Sequence, residues 1–307
     1  MKWLFIVDPM EGLDTAKDTT YAMMAESSKR KIDCYVAQIS DLYFDKKPKT
    51  KASKITFEKS RYNALAQSDF FLDDFEMIFM RKEPPYDIKF HYATLVLSLC
   101  KTLVVNNPAA LRDLNEKLII LNFPELIAKT IVSSDKNEII KFVRQNGTSI
   151  LKSLDSYQGK HISKVQINDR ALDSTIITMT ENGNLPIMVQ GFIPKVVKGD
   201  KRILMLNGKI LGAVNRVPRK GSFVSNFGQG GKGKKTTITN KDLKIADGVS
   251  GFLVKNGIHF AGLDVIDGYL TEINITCPTG IRQINAIENK SLEVEMIDYF
   301  QDLVRKK

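Results

Sequence analysis

A chain of 307 residues, 43% hydrophobic and 26% charged, has the composition of a globular protein with room for two or three domains, which excludes a disordered or fibrous chain. Its 45 basic residues exceed its 35 acidic ones by ten, which favours small anionic partners; the lysines are scattered, with local groups only at 46–54 and 232–235, so nucleic-acid binding is not expected. Cys34, Cys100 and Cys277 are too dispersed for a disulfide framework or zinc site, and no apolar run suits a signal segment or a membrane span, so a cytoplasmic protein without a membrane partner is expected.

In chain order, WLFIVD predicts a strand, residues 19–31 a helix, CYVAQI a strand and FEMIFMR another. After Pro84-Pro85, IKFHYATLVLSLC is helical and TLVVNN extended. This alternation predicts an open, mostly parallel sheet, with Asp8 at the end of the first strand, where such sheets commonly meet ligands. From about residue 120 the pattern becomes α+β: strands SILKSL and PIMVQGFI accompany helices at 135–145 and 169–181. The last segment holds a hairpin turning at Asn207-Gly208, a glycine-rich stretch, a helix at 240–256, a strand pair turning at Asp267-Gly268, and terminal helices. The expected divisions are 1–119, 120–193 and 194–307.

The strand GYLTEINIT places Glu272 and Asn274 on one face and Ile273 and Ile275 on the other. A half-buried strand with a solvated polar face fits that pattern. So does a magnesium site, because Asp264 lies on the preceding strand, and magnesium takes one or two carboxylates together with phosphate oxygens. The stretch SFVSNFGQGGKG forms a flexible loop whose glycines let backbone N–H groups approach an anion, or else a surface excursion; no Gly-Lys-Ser/Thr ends it, so it is not a Walker loop. Asp200, Lys201, Arg202 and Arg216 fall on neighbouring strands, where arginine could neutralise transferred charge.

Together, MRKEPPYD, NNPAALRDLNEKL, ILKSLD, VQGFIPKVVKGDKR, GQGGKG and GLDVIDGYLTEINITCPTGIRQI resemble the bacterial glutathione synthetases of the ATP-grasp superfamily, in order and over nearly the whole chain. The resemblance implies an N-terminal open parallel-sheet domain followed by an ATP-grasp pair of α+β subdomains, clasping ATP with magnesium or manganese, in a homotetramer. Residue by residue it implies phosphate contacts from Lys117 and Lys152, adenine and ribose contacts from Gln190 and Asp200, and a phosphate-side role for Arg202. It implies metal ligation by Asp264, Glu272 and Asn274. Arg216, Arg81 and Arg282 would handle the anionic peptide, Arg202 and Arg216 being the candidate catalytic pair, and Ser222, Asn226, Gly230 and Gly231 belong to the flexible loop.

The implied reaction is ATP-dependent ligation of γ-glutamylcysteine to glycine through an acyl phosphate, releasing ADP and phosphate. The chain departs from the family pattern at KSLDSYQGKH, where Ser153, Ser156, Tyr157 and Gln158 replace a proline and flexible glycines, and at Ser222 and Val224, where an acid and an arginine are usual. Those departures keep open a ligase with a different acid or amine. A low-turnover nucleotide-binding protein is the remaining alternative, and the complete metal set argues against it.

Overall fold

The computed structural model describes residues 1–58, 61–156 and 161–306, and arranges them in three sheets. The first segment contains β1 (Lys2–Ile6), α1 (Thr19–Lys29), β2 (Asp33–Ala37), β3 (Leu42–Asp45), β4 (Lys47–Glu58), β5 (Arg61–Ala64), β6 (Ser68–Phe71), β7 (Met77–Met80), α2 (Ile88–Leu97), β8 (Leu103–Val105) and α3 (Pro108–Asp113). Strands β2, β1, β7 and β8 lie side by side and parallel. Because both faces of β1 are covered, its sequence is a continuous apolar run rather than an alternation. Leu4 and Ile6 pack with Phe90 and Leu97 of α2, whereas Trp3 and Phe5 turn to Met23 and Met24 of α1.

Sequence patterning did not reveal the other half of this sheet, where β3, β5 and β6 pair antiparallel with β4, and β4 pairs antiparallel with β2. In β4 the lysines at 47, 49, 51 and 54 separate a few buried residues such as Thr50, Ala52 and Ile55. Those lysines hide the strand from a hydrophobicity pattern although it is paired with four other strands.

The second segment contains β9 (Thr130–Ser133), α4 (Lys136–Asn146), β10 (Ser149–Ser153), β11 (Ile162–Val165), α5 (Leu172–Met179) and β12 (Ile187–Gly191), with the antiparallel order β11-β10-β12-β9. Asp135 caps α4 through the N–H groups of Asn137 and Glu138. Leu151, Ile187 and Val189 face Ile139, Val143 and Ile176 of the two helices. With a period of two, Ile150, Lys152, Met188 and Gln190 must face the other way, and that is the side toward the cleft.

The third segment contains β13 (Asp200–Leu206), β14 (Lys209–Val217), β15 (Lys232–Lys234), α6 (Asn240–Lys255), β16 (Phe260–Ile266), β17 (Tyr269–Asn274), α7 (Ile281–Glu288) and α8 (Leu292–Arg305). Its antiparallel order is β15-β14-β13-β16-β17. Both expected hairpin turns are present, with positive φ at Asn207 (49°) and Gly208 (72°) and at Asp267 (51°) and Gly268 (80°), the backbone that Asn-Gly and Asp-Gly adopt most readily. One face, through Ile203, Met205, Leu263 and Ile273, packs on Ile245, Val249 and Leu253 of α6. On the other face Leu204 and Val214 meet Ile281 and Ile284 of α7, while the far end of the same face is polar. Helix α8 returns to the first sheet, where the Phe300 ring lies 4.9 Å from that of Phe79.

Candidate active site

The polar end of the third sheet is a product of register. Asp264 on β16 stands opposite Arg202 on β13 and opposite Glu272 on β17, Asp200 stands opposite Arg216, and Gly262 stands opposite Asn274. Alternation puts all of these side chains on one face. Arg202 grips Asp264 with two prongs, Nε to Oδ1 at 2.6 Å and Nη2 to Oδ2 at 3.1 Å. Arg216 bridges the two aspartates through Nη2, at 2.6 Å from Asp200 Oδ2 and 2.9 Å from Asp264 Oδ2.

All four groups are almost completely buried, so their charges must answer one another. Burial by itself would favour the neutral form of Asp264, but the two guanidiniums overcome it and hold this carboxyl below the usual range. For Asp200 burial wins over its attraction to Arg216, and the carboxyl is raised. Among the described residues, Asp200 Oδ1 and Arg216 Nε are buried without a hydrogen-bond partner, which marks this corner as shaped for a polar ligand.

The second sheet supplies the opposite wall. Lys152 Nζ donates to Gln190 Oε1 at 2.6 Å, and Gln190 Nε2 donates in turn to Thr130 Oγ1 at 3.0 Å, which fixes the orientation of the amide. Burial lowers the Lys152 pKa, with Glu272 opposing that shift. Lys117 enters from the turn after α3, donates to the main-chain oxygen of Ser156, and lies 3.6 Å from Glu272 Oε1. The two lysines that sequence placed 35 positions apart (152 minus 117) therefore face one carboxylate.

Among the described residues no group of three or more His, Cys, Asp or Glu forms a metal-binding cluster, so the candidate metal set is two carboxylates and one amide. These residues fit a hard cation. Asn274 donates Nδ2 to the Gly262 carbonyl at 3.1 Å, which leaves Oδ1 for the cleft. Asp264 is ionised, and of the roughly four acceptor positions on a carboxylate three are filled by the arginines, leaving one on Oδ1.

The glycine-rich loop lies along this cleft. Phe223, Val224, Ser225 and Asn226 line it together with Lys152, Gln190 and Asp200, while Phe227 and Gly228 reach the adjoining cavity beside Arg81. Ser222 Oγ accepts the Val224 N–H, and Gly230 takes φ 82°. A Cβ on Gly231 would sit 1.8 Å from the Ser225 carbonyl oxygen, so only glycine fits there.

The remaining expected residues are less central. Arg81 is buried, donates to Thr20 Oγ1 and to the Pro278 carbonyl, both at 2.9 Å, and borders a cavity shared with Asp8, Asp18 and Glu83. Burial raises the carboxyls of Asp18 and Glu83. Asp8 holds the segment after β7 by accepting the Glu83 N–H at 2.9 Å and pairing with Lys82 at 2.8 Å. Arg282 is not brought to the Asp264 cluster; its Nε and Nη2 donate to the carbonyls of Ala16 and Thr15. Of the altered stretch at 153–160, residues Tyr157, Gln158, Gly159 and Lys160 lie outside the described residues.

One residue that sequence reasoning passed over is Glu116, whose Oε1 accepts from the N–H groups of Ile275 and Thr276 and from Thr276 Oγ1 at 2.7 to 2.8 Å. Its carboxyl is raised by burial and then by Glu272. Adjacency to Lys117 was the one signal available in the sequence.

The architecture is that of the ATP-grasp enzymes. A D-cycloserine synthetase superposes with a TM-score of 0.67 at 13% identity, covering 99% of each chain, and an ATP-grasp ligase complexed with a minimal precursor superposes with a TM-score of 0.64 at 14% identity, covering 96% of this chain and 97% of that one. Residues 1–112 match the N-terminal domain of prokaryotic glutathione synthetase, and residues 116–289 match its ATP-grasp domain. The glutathione synthetase of Synechocystis sp. is 36% identical over 317 aligned positions, covering 98% of this chain and 99% of the relative; that of Yersinia pestis is 38% identical over 289, covering 92% and 91%. The chain belongs to the prokaryotic glutathione synthetase family of ATP-dependent ligases.

Proposed function

We propose that the cleft activates the C-terminal carboxylate of γ-glutamylcysteine with the γ-phosphoryl group of ATP and joins the resulting acyl phosphate to glycine. The observation that carries this reading is the buried Arg202-Asp264-Arg216-Asp200 network, whose aspartates line one cleft with Lys152 and Glu272, with Lys117 reaching the same Glu272 from the neighbouring cavity. A triphosphate brings several negative charges to a site that supplies four cationic side chains at fixed positions, and such preorganised charge lowers the cost of phosphoryl transfer.

Lys117 and Lys152 hold the phosphates, Gln190 and Asp200 face the adenine and ribose, and Arg202 neutralises charge as the phosphoryl group moves. Asp264, Glu272 and Asn274 would hold the divalent cation, magnesium or manganese, which would supply neutralising charge for the phosphates. The peptide lies in the two adjoining cavities between the first and third segments, with its anionic groups toward Arg81 in one and Arg216 in the other, while Arg282 holds the 15–16 carbonyls beside the first.

In the reaction the peptide carboxylate attacks the γ-phosphorus and ADP leaves. The amine of glycine then attacks the acyl carbon, a proton departs from the nitrogen, and phosphate is released. Residues 222–231 cover both cavities and keep water from the acyl phosphate.

Phosphate release measured against a panel of γ-glutamyl peptides and small amines tests the proposal. The pair of γ-glutamylcysteine and glycine should dominate. Preference for another pair favours the ligase of altered specificity suggested by Val224 and the 153–160 stretch, and an equal background with every pair favours a nucleotide-binding protein. The homotetramer implied by the family is tested by light scattering.

A further inference from the structure

We infer that Glu116 is a positioning residue that sets the metal-binding end of β17 and ties it to Lys117, an inference that rests on the metal assignment proposed above. Strand β17 is the last strand of its sheet, so the N–H groups on its outer side have no neighbouring strand to receive them. Glu116 takes the place of that strand. Its main-chain oxygen accepts the Ile273 N–H at 3.0 Å, and its Oε1 accepts the N–H groups of Ile275 at 2.7 Å and Thr276 at 2.8 Å. The two outward N–H groups that flank Asn274 in sequence are therefore held by one residue, and the Thr276 hydroxyl adds a third donor to the same carboxylate oxygen at 2.8 Å.

The consequence reaches the ligands. On the inner side of β17, Glu272 and Asn274 stand opposite Asp264 and Gly262, so holding the outer N–H groups fixes the backbone from which both ligand side chains project. The same turn also fixes the phosphate lysine. Asn115 Oδ1 accepts the N–H groups of Lys117 and Leu118 at 3.0 and 3.1 Å, its Nδ2 donates to Leu154 at 3.2 Å, and Lys117 extends to Ser156. Residues 115–117 thus connect the second sheet's segment to the metal strand, and a cation bound by Glu272 and a phosphate bound by Lys117 share one support.

Reach, rather than charge alone, is what this arrangement requires, because Oε1 must bridge two successive N–H groups. Glu116→Asp keeps the charge and shortens the reach; Glu116→Gln keeps the reach and an acceptor oxygen. Binding of Mn2+ in the presence of a non-hydrolysable ATP analogue, followed by electron paramagnetic resonance, reports on the ligands without turnover. Loss of a partner that orients metal ligands typically weakens metal binding about ten- to a hundredfold. Glu116→Asp is expected to fall in that range, with Glu116→Gln within about threefold of wild type, and hydrogen exchange at Ile275 and Thr276, whose N–H groups the carboxylate holds, is expected to quicken in Glu116→Asp alone. The inference is overturned if Glu116→Asp binds Mn2+ as tightly as wild type, whatever its melting temperature, or if Glu116→Gln is as weak as Glu116→Asp. A wild-type protein that shows no Mn2+-dependent binding of the analogue would instead remove the metal assignment itself.

Discussion

Arg202→Ala separates what this arginine contributes to folding from what it contributes to chemistry. Its two-pronged contact with Asp264, at 2.6 and 3.1 Å, joins two side chains that are 6% and 4% exposed. Removing one partner of a buried ion pair costs about 3–5 kcal/mol, because the other charge is left without compensation. Here Arg216 remains 2.9 Å from the same carboxylate, so the lower end, about 3 kcal/mol, is expected. The melting temperature should fall by roughly 5–10 °C while the chain stays folded. In catalysis the lost charge acts as the phosphoryl group moves, and removal of one such group lowers kcat about 100- to 1,000-fold. ATP binding, shared with Lys117 and Lys152, should weaken far less. Thermal unfolding, equilibrium nucleotide binding and steady-state kinetics on the same preparation provide all three numbers. An unchanged kcat with only a raised KM for ATP would refute the transition-state role, and an unchanged melting temperature would refute the buried pair.

Glu272→Gln should have the opposite balance: its pairing with Lys117 is loose, at 3.6 Å, so stability should change by less than about 1 kcal/mol, while turnover at limiting magnesium collapses; near-wild-type turnover there would remove Glu272 from the metal site. Because burial lowers the Lys152 pKa, its charge is lost at a lower pH than that of an ordinary lysine; kcat/KM for ATP should therefore decline on the alkaline side earlier than ordinary lysine titration allows, and Lys152→Arg should move that decline upward in a pH-rate profile. Gly231→Ala should displace the loop, since its Cβ would overlap the Ser225 carbonyl oxygen, and should raise phosphate release relative to peptide ligated; an unchanged ratio would show that the loop does not protect the acyl phosphate.

Local signals carried much of this architecture. Asn207-Gly208 and Asp267-Gly268 specify their turns through backbone that few other pairs adopt, but the pairing of Glu272 with Asp264 also needs a bulge next to Asp264, since the turn's own register would bring Thr271 there, and no residue in the sequence announces that bulge. Other features depend on contacts distant in sequence. Strands β3 to β6 escaped a reading based on apolar patterning because lysines occupy much of the longest of them. The double grip of Arg202 and Arg216 on Asp264 becomes visible only once β13 is known to lie between β14 and β16. Glu116 escaped for a related reason: the three donors to its carboxylate, two main-chain N–H groups and one hydroxyl, lie about 160 positions away, and nothing near it in sequence announces them. Arg282 shows the reverse, since the family resemblance implied an anion contact while its side chain serves two carbonyls of another loop.

Direct detection of the ligated product tests the central claim. The purified protein, incubated with magnesium, ATP, γ-glutamylcysteine and glycine and followed by mass spectrometry, should form glutathione and ADP in equal amounts, with Arg202→Ala reducing both together. ADP formed without glutathione, or a ligated product formed faster from another acid or amine, would contradict it.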